Sequence, residues 1–182
     1  MTKILALDLS KRRTGWALWH KGWESPRYGH WILGSEFTTD GEVLMKALQC
    51  LTDHWQALQF SSLYWEEPLT QMQRMGQSNK GNDIQVKLVG ICQYFAKASR
   101  TRTQEINQAS WRRSFIGKMP RGTKSKEWKD YAMERSRHYG WAPRFHDEAD
   151  ALGLLDHCIS LEGVTPPWRE NQTLIPMLSG AR

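Results

Sequence analysis

The chain has 182 residues, 40% of them apolar, enough for one substantial core and too few for two ordinary domains. Lys and Arg number 25 against 19 Asp and Glu, a net charge of +6 that favours a polyanionic partner without identifying one. Cys50, Cys92 and Cys158 have neither zinc-ligand spacing nor the density of a disulfide framework. No apolar run approaches the roughly 20 residues of a membrane span and no signal-peptide pattern is seen, so a soluble protein of a reducing cytoplasm is expected.

Residues 3–9 are apolar on both alternating faces, with Ile4, Ala6 and Asp8 on one and Leu5, Leu7 and Leu9 on the other, the pattern of a central strand covered on both sides. Residues 14–20 and 28–33 are two further strands across a turn rich in Gly, Ser and Pro, so the chain opens as an antiparallel meander. Residues 41–58 carry Val43, Leu44, Ala47, Leu48, Leu51, Trp55 and Leu58 at helical spacing after Asp40. A short strand at 62–65 ends on Glu66, Glu67 and Pro68, and the proline discourages its continuation.

The polar stretch 70–82 reads as a loop. Beyond it, residues 84–98 predict a helix, 103–106 a strand, and 111–116, 127–139 and 144–161 further helices. The whole is an α/β domain over residues 1–163, followed by an extended Pro-bearing tail over 164–182. Residues 118–129 hold Lys118, Arg121, Lys124, Lys126 and Lys129 around Pro120 and Gly122; Lys118, Arg121, Lys124 and Lys126 are the candidate phosphate contacts. Ten Trp residues, several beside charges, offer rings for base stacking or amphipathic cover for the core.

Three acidic features carry the chemistry. A carboxylate at the end of a doubly apolar strand is expensive to bury unless paired or metal-bound, which singles out Asp8. Glu66 ends a second strand in the same manner, while alternation turns Glu67 to the other face. His146-Asp147-Glu148-Ala149-Asp150 opens the last helix, with Asp147 and Asp150 three residues apart and hence neighbours. Glu148 lies nearer the buried stripe, and the helical wheel does not exclude it. Acids in a first helical turn also favour the macrodipole by about 0.3–1 kcal/mol each. Together Asp8, Glu66, Asp147 and Asp150 supply the oxygen ligands that Mg2+ or Mn2+ prefers, and two such ions roughly 3.5–4 Å apart suit phosphodiester hydrolysis. His146, Glu67 and Glu148 form a second tier, His146 as a proton or phosphate contact.

The strand ending in Asp8 followed by Thr14-Gly15-Trp16-Ala17, then Leu63-Tyr64-Trp65-Glu66, then Asp147-Glu148-Ala149-Asp150-Ala151-Leu152, closely resembles in order and spacing the RuvC-type Holliday junction resolvases. The resemblance spans roughly residues 3–159. It implies a ribonuclease H-like mixed sheet, a three-strand antiparallel meander plus parallel strands flanked by helices. It implies Asp8, Glu66, Asp147 and Asp150 as metal-binding catalytic residues, Mg2+ as cofactor with Mn2+ able to substitute, and a homodimer that nicks a four-way DNA junction symmetrically.

Glu67-Pro68-Leu69 departs from the family's usual polar and aromatic continuation, so no junction-wedging aromatic carries over; Leu69 and Met72 are the substitutes considered. The many Trp residues and the Pro-rich tail fit a phage-type or divergent member, in a bacterial or phage-infected cell. The alternatives are a nuclease for forks, flaps or RNA:DNA hybrids on the same site, a non-catalytic branched-DNA binding protein, and an actin-like ATPase. The last lacks a second glycine-rich phosphate loop.

Overall fold

The computed structural model describes residues 2–68 and 80–170. Residues 70–79 of the expected polar loop lie outside these, as do Leu69 and Met72 and the tail beyond residue 170. Five strands, β1 (Lys3–Asp8), β2 (Arg13–His20), β3 (Arg27–Ile32), β4 (Ser62–Glu66) and β5 (Arg102–Ile106), form one sheet in the order β3-β2-β1-β4-β5. The first three pair antiparallel, and β4 and β5 add in parallel. This is the mixed sheet expected from the sequence.

The helices are α1 (Asp40–Leu58), α2 (Lys80–Ser99), α3 (Gln108–Phe115), α4 (Ser125–His138), α5 (His146–Leu161) and α6 (Pro167–Glu170). Strand alternation sorts them into two layers. Leu5, Leu7, Leu18, Leu63 and Trp65 face α1 and α2, meeting Val43, Leu51, Leu88 and Phe95. Ile4, Ala6, Ala17 and Trp19 face the other layer, meeting Trp111, Ala132, Leu152 and Leu155. Each fully buried aliphatic side chain contributes about 1.5–3 kcal/mol, so β1, covered on both faces, anchors the fold.

The helix starts refine the sequence reading. Thr39, one residue before the expected Asp40, caps α1: its backbone N–H donates to Glu42 Oε2 at 2.8 Å and its hydroxyl accepts from Glu42 N at 3.4 Å, a reciprocal capping box. Asn107 caps α3 by accepting from Ala109 N at 3.0 Å, so this helix begins three residues earlier than its apolar spacing suggested and gains Gln108. Within the segment read as extended tail, Pro167–Glu170 forms a helical turn. Its Trp168 is buried and donates to the fully buried Asp156 at 2.8 Å, and Arg169 Nε adds a second donor at 3.0 Å.

Most of the tryptophans resolve toward the core: Trp19, Trp31, Trp65, Trp111, Trp141 and Trp168 are all buried. Among the described residues no helix is long and apolar enough to cross a membrane.

Candidate active site

Strand register assembles the site. Asp8 is the partner of Gly15 on β2, and Gly15 is the partner of His30 on β3. On the other side Leu7 pairs with Trp65 of β4, which sets Asp8 abreast of Glu66. Glu66, Asp8, Gly15 and His30 therefore form one row across four strands, on the sheet face that α5 covers. Glu67, one residue on, is exposed and meets Asn107 Nδ2 at 3.4 Å, as alternation requires.

The first turn of α5 crosses this row, and Gly15 lets it approach. A Cβ at Gly15 would stand 1.8 Å from the Asp147 carbonyl oxygen, so only a residue without a side chain fits. Asp147 and Asp150 descend from that turn toward Asp8 and Glu66. Burial pushes the Asp8 carboxyl well above the usual carboxylate range, reinforced by Asp150, Glu66 and Asp147 and opposed by Lys129. Asp150, only 6% exposed, is pushed up to about 7, first by burial and then by Glu66 and Asp147, against the pull of Lys129 and Arg112. Carboxyl groups that resist ionisation in this way stand close together in a poorly solvated place.

Neutral donors from α3 hold Glu66. Gln108 Nε2 donates to Oε1 at 2.5 Å and Trp111 Nε1 to Oε2 at 2.8 Å, so the carboxylate is oriented without being neutralised. Asp147 lies 3.9 Å from Arg13 Nη1. Among the described residues no three His, Cys, Asp or Glu side chains converge tightly enough to form a finished cation site. The cluster is nonetheless an all-oxygen donor set of the kind hard divalent cations take, and added positive charge there would favour the ionised form of carboxyls that burial first, and neighbouring acids second, keep reluctant to ionise.

The second-tier residues separate. Glu148 is buried but turned toward β3, where its Oε1 meets His30 Nδ1 at 2.7 Å and its Oε2 accepts from Arg144 N at 2.6 Å. His146 Nε2 is 3.9 Å from Asp130 on α4. Lys118, Arg121 and Lys124 are exposed on the segment leading into α4 and Lys126 is exposed in its first turn, and the Lys124 backbone N–H donates to Glu127 Oε2 at 2.7 Å.

Two cations that bear on the acids were not singled out from sequence. Lys129 belongs to a basic run in the sequence, yet it lies three residues before buried Ala132 and four before Met133, on the inward stripe of α4. Its position on that stripe was the available signal. Arg112 sits between two rings, 5.4 Å from the centroid of Trp111 and 5.7 Å from that of Trp128, within the field of Asp150.

A five-stranded mixed sheet of this order, flanked by helices on both faces, is the ribonuclease H-like class of fold. Within it the fold is RuvC-like. The chain superposes on a Thermus thermophilus RuvC structure with a TM-score of 0.66 at 14% identity, covering 89% of this chain and 97% of that one. It superposes on T. thermophilus RuvC in complex with Holliday junction substrate with a TM-score of 0.61 at 14% identity, covering 85% and 90%. No protein-family model and no curated protein sequence matches the chain.

Proposed function

We propose that the protein is a metal-dependent endonuclease that resolves four-way DNA junctions, cutting paired strands as a homodimer in recombination or repair. The observation that carries this reading is the electrostatic coupling of Asp8, Glu66, Asp147 and Asp150 at one edge of the sheet, the same set that the sequence motifs single out. A ribonuclease H-like fold by itself hosts many activities. The fold match to a RuvC structure holding a Holliday junction supports branched DNA as the substrate class.

Asp8, Glu66, Asp147 and Asp150 would hold Mg2+, with Mn2+ as substitute. Bound there, such ions polarise a water and stabilise the departing oxygen of a phosphodiester. Asp8 and Asp150 ionise as their ligation demands, so binding releases protons. Gln108 and Trp111 fix both Glu66 oxygens. Lys129 and Arg112 lie where they can draw the scissile phosphate toward the acids, and Lys118, Arg121, Lys124 and Lys126 extend a cationic path for the flanking backbone.

The test is cleavage of end-labelled four-way junction, fork and linear duplex with Mg2+, Mn2+ or EDTA, beside Asp8→Asn. Paired, metal-dependent nicks on the junction that vanish in the variant are expected. Equal cutting of forks would transfer the reading to a general branched-DNA nuclease, and equal cutting of linear duplex to a nuclease without branch specificity. Tight binding with no cutting under any condition would overturn catalysis.

A further inference from the structure

Asp147 faces Arg13 Nη1 at 3.9 Å, too far for a hydrogen bond to fix it, so its position depends on the turn that carries it. What fixes its backbone lies on the far side of the helix. Next to Gly15, across β2 and β3, stands His30. Its Nδ1 meets Glu148 Oε1 at 2.7 Å, and the other Glu148 oxygen accepts from Arg144 N at 2.6 Å. The His30 ring also stands edge-on to Phe145, the N-cap residue of α5, with centroids 4.9 Å apart at 86°. The Arg13 guanidinium also rests on Phe145, 3.5 Å from the ring centroid.

Phe145 has no side-chain oxygen to cap the helix, and Glu148 instead ties the first turn to the segment before it by accepting from the Arg144 backbone N–H. A buried carboxylate gripped at both oxygens has little freedom. Through it, a β3 residue outside the acidic cluster sets the position of the turn that carries Asp147.

We propose that His30 and Glu148, with Phe145 between His30 and Arg13, form a positioning clamp that seats the first turn of α5 on the sheet and so fixes Asp147 for divalent-cation binding. None of the clamp residues need touch the cation or the substrate. The proposal rests on the metal site argued above.

The test compares His30→Ala with His30→Asn, whose amide nitrogen replaces the Nδ1 donor. Mn2+ binding is measured by calorimetry in the absence of DNA, and amide hydrogen exchange over residues 146–150 in the absence of metal. His30→Ala is expected to weaken Mn2+ binding at least ten-fold and to speed exchange in that turn. His30→Asn is expected to stay within about three-fold of the parent. Glu148→Gln, nearly isosteric and expected to fold, serves as a second entry to the same pair. Combined with His30→Ala it should be no worse than the more damaging single change, because the two act as one unit.

Parent-like Mn2+ binding in His30→Ala overturns the clamp even if the variant melts earlier, since that outcome marks a purely structural contact. Additive losses in the double variant overturn it as well, and should His30→Ala fail to fold, parent-like Mn2+ binding and exchange in Glu148→Gln overturn it instead. A parent protein that binds no Mn2+ overturns the metal site itself and the clamp with it.

Discussion

Replacing Gly15 by Ala tests the fold and the site at once. The added Cβ would lie 1.8 Å from the Asp147 carbonyl oxygen and 2.4 Å from its carbon, both backbone atoms, where real Cβ contacts essentially never fall below 3.0 Å. The start of α5 must therefore lift from β2 by more than about 1 Å, for no rotamer change relieves a backbone clash. Overpacking of this kind costs about 1–3 kcal/mol, which for a chain of this size lowers Tm by roughly 3–10 °C. The larger effect falls on the site, because Asp147 and Asp150 ride on the displaced turn and a displacement of about 1 Å can cost 10²-fold in rate. Single-turnover cleavage of a four-way junction, with circular dichroism melting alongside, is the assay. Gly90→Ala is the control: a Cβ there meets nothing within 4 Å, and in the middle of α2 the change should be neutral or stabilising by about 0.5–1 kcal/mol. A folded Gly15→Ala protein that cleaves within three-fold of the parent would refute the reasoning.

Asp150, whose carboxyl is pushed up to about 7 in the fold from about 3.9 in the unfolded chain, contributes stability to the metal-free protein that is present below pH about 4 and lost as the pH rises through about 7. Asp150→Asn should therefore melt higher than the parent at pH 8 in EDTA, the gap closing toward pH 4; equal melting at pH 8 would count against a crowded acid cluster. For the same reason Mn2+ affinity should rise between pH 6 and 8 with proton release, measurable by calorimetry in buffers of different ionisation enthalpy. Substituting Lys118, Arg121, Lys124 or Lys126 by Gln should weaken junction binding for each residue that contacts a phosphate and reduce the slope of log K against log salt by roughly 0.9 per lost contact; an unchanged slope for all of them would remove the cationic path. Asp156→Ala leaves Arg169 and the Trp168 indole without their buried acceptor, and breaking a buried pair in this way costs about 3–5 kcal/mol, visible as a shifted urea midpoint.

What the sequence revealed depended on period. That Asp8 and Glu66 come near one another follows from the acids that end two apolar strands, and the Asp147 and Asp150 pair follows from their spacing of three, whereas the alignment of Gly15 with them needed the strand register. Helix starts were less legible where the cap stood outside the apolar pattern. Thr39 and Asn107 are ordinary polar residues until their hydrogen bonds are seen, and the early start of α3 is what brings Gln108 to Glu66. The role of Glu148 was out of reach because its partner, His30, is 118 residues away. The docking of Trp168 was hidden by flanking prolines that read as a tail.

The way the acids are held bears on how the proposed site works. Had arginines held Glu66 at 2.5 to 2.8 Å, its charge would already be matched and a divalent cation would gain little by approaching. Instead Gln108 and Trp111 give direction and no charge, and Arg13 stands off Asp147 at 3.9 Å with its guanidinium resting on Phe145. Lys129 and Arg112 pull on Asp150 from α4 and α3, yet burial outweighs them, so the cluster is ordered but its carboxyls stay reluctant to ionise and receptive to added positive charge. In a protein of net charge +6, the proposed DNA substrate would be drawn by the exposed cations before and at the start of α4 and repelled by the acids themselves. Cation loading and substrate seating should therefore be cooperative, each reducing the repulsion that the other meets.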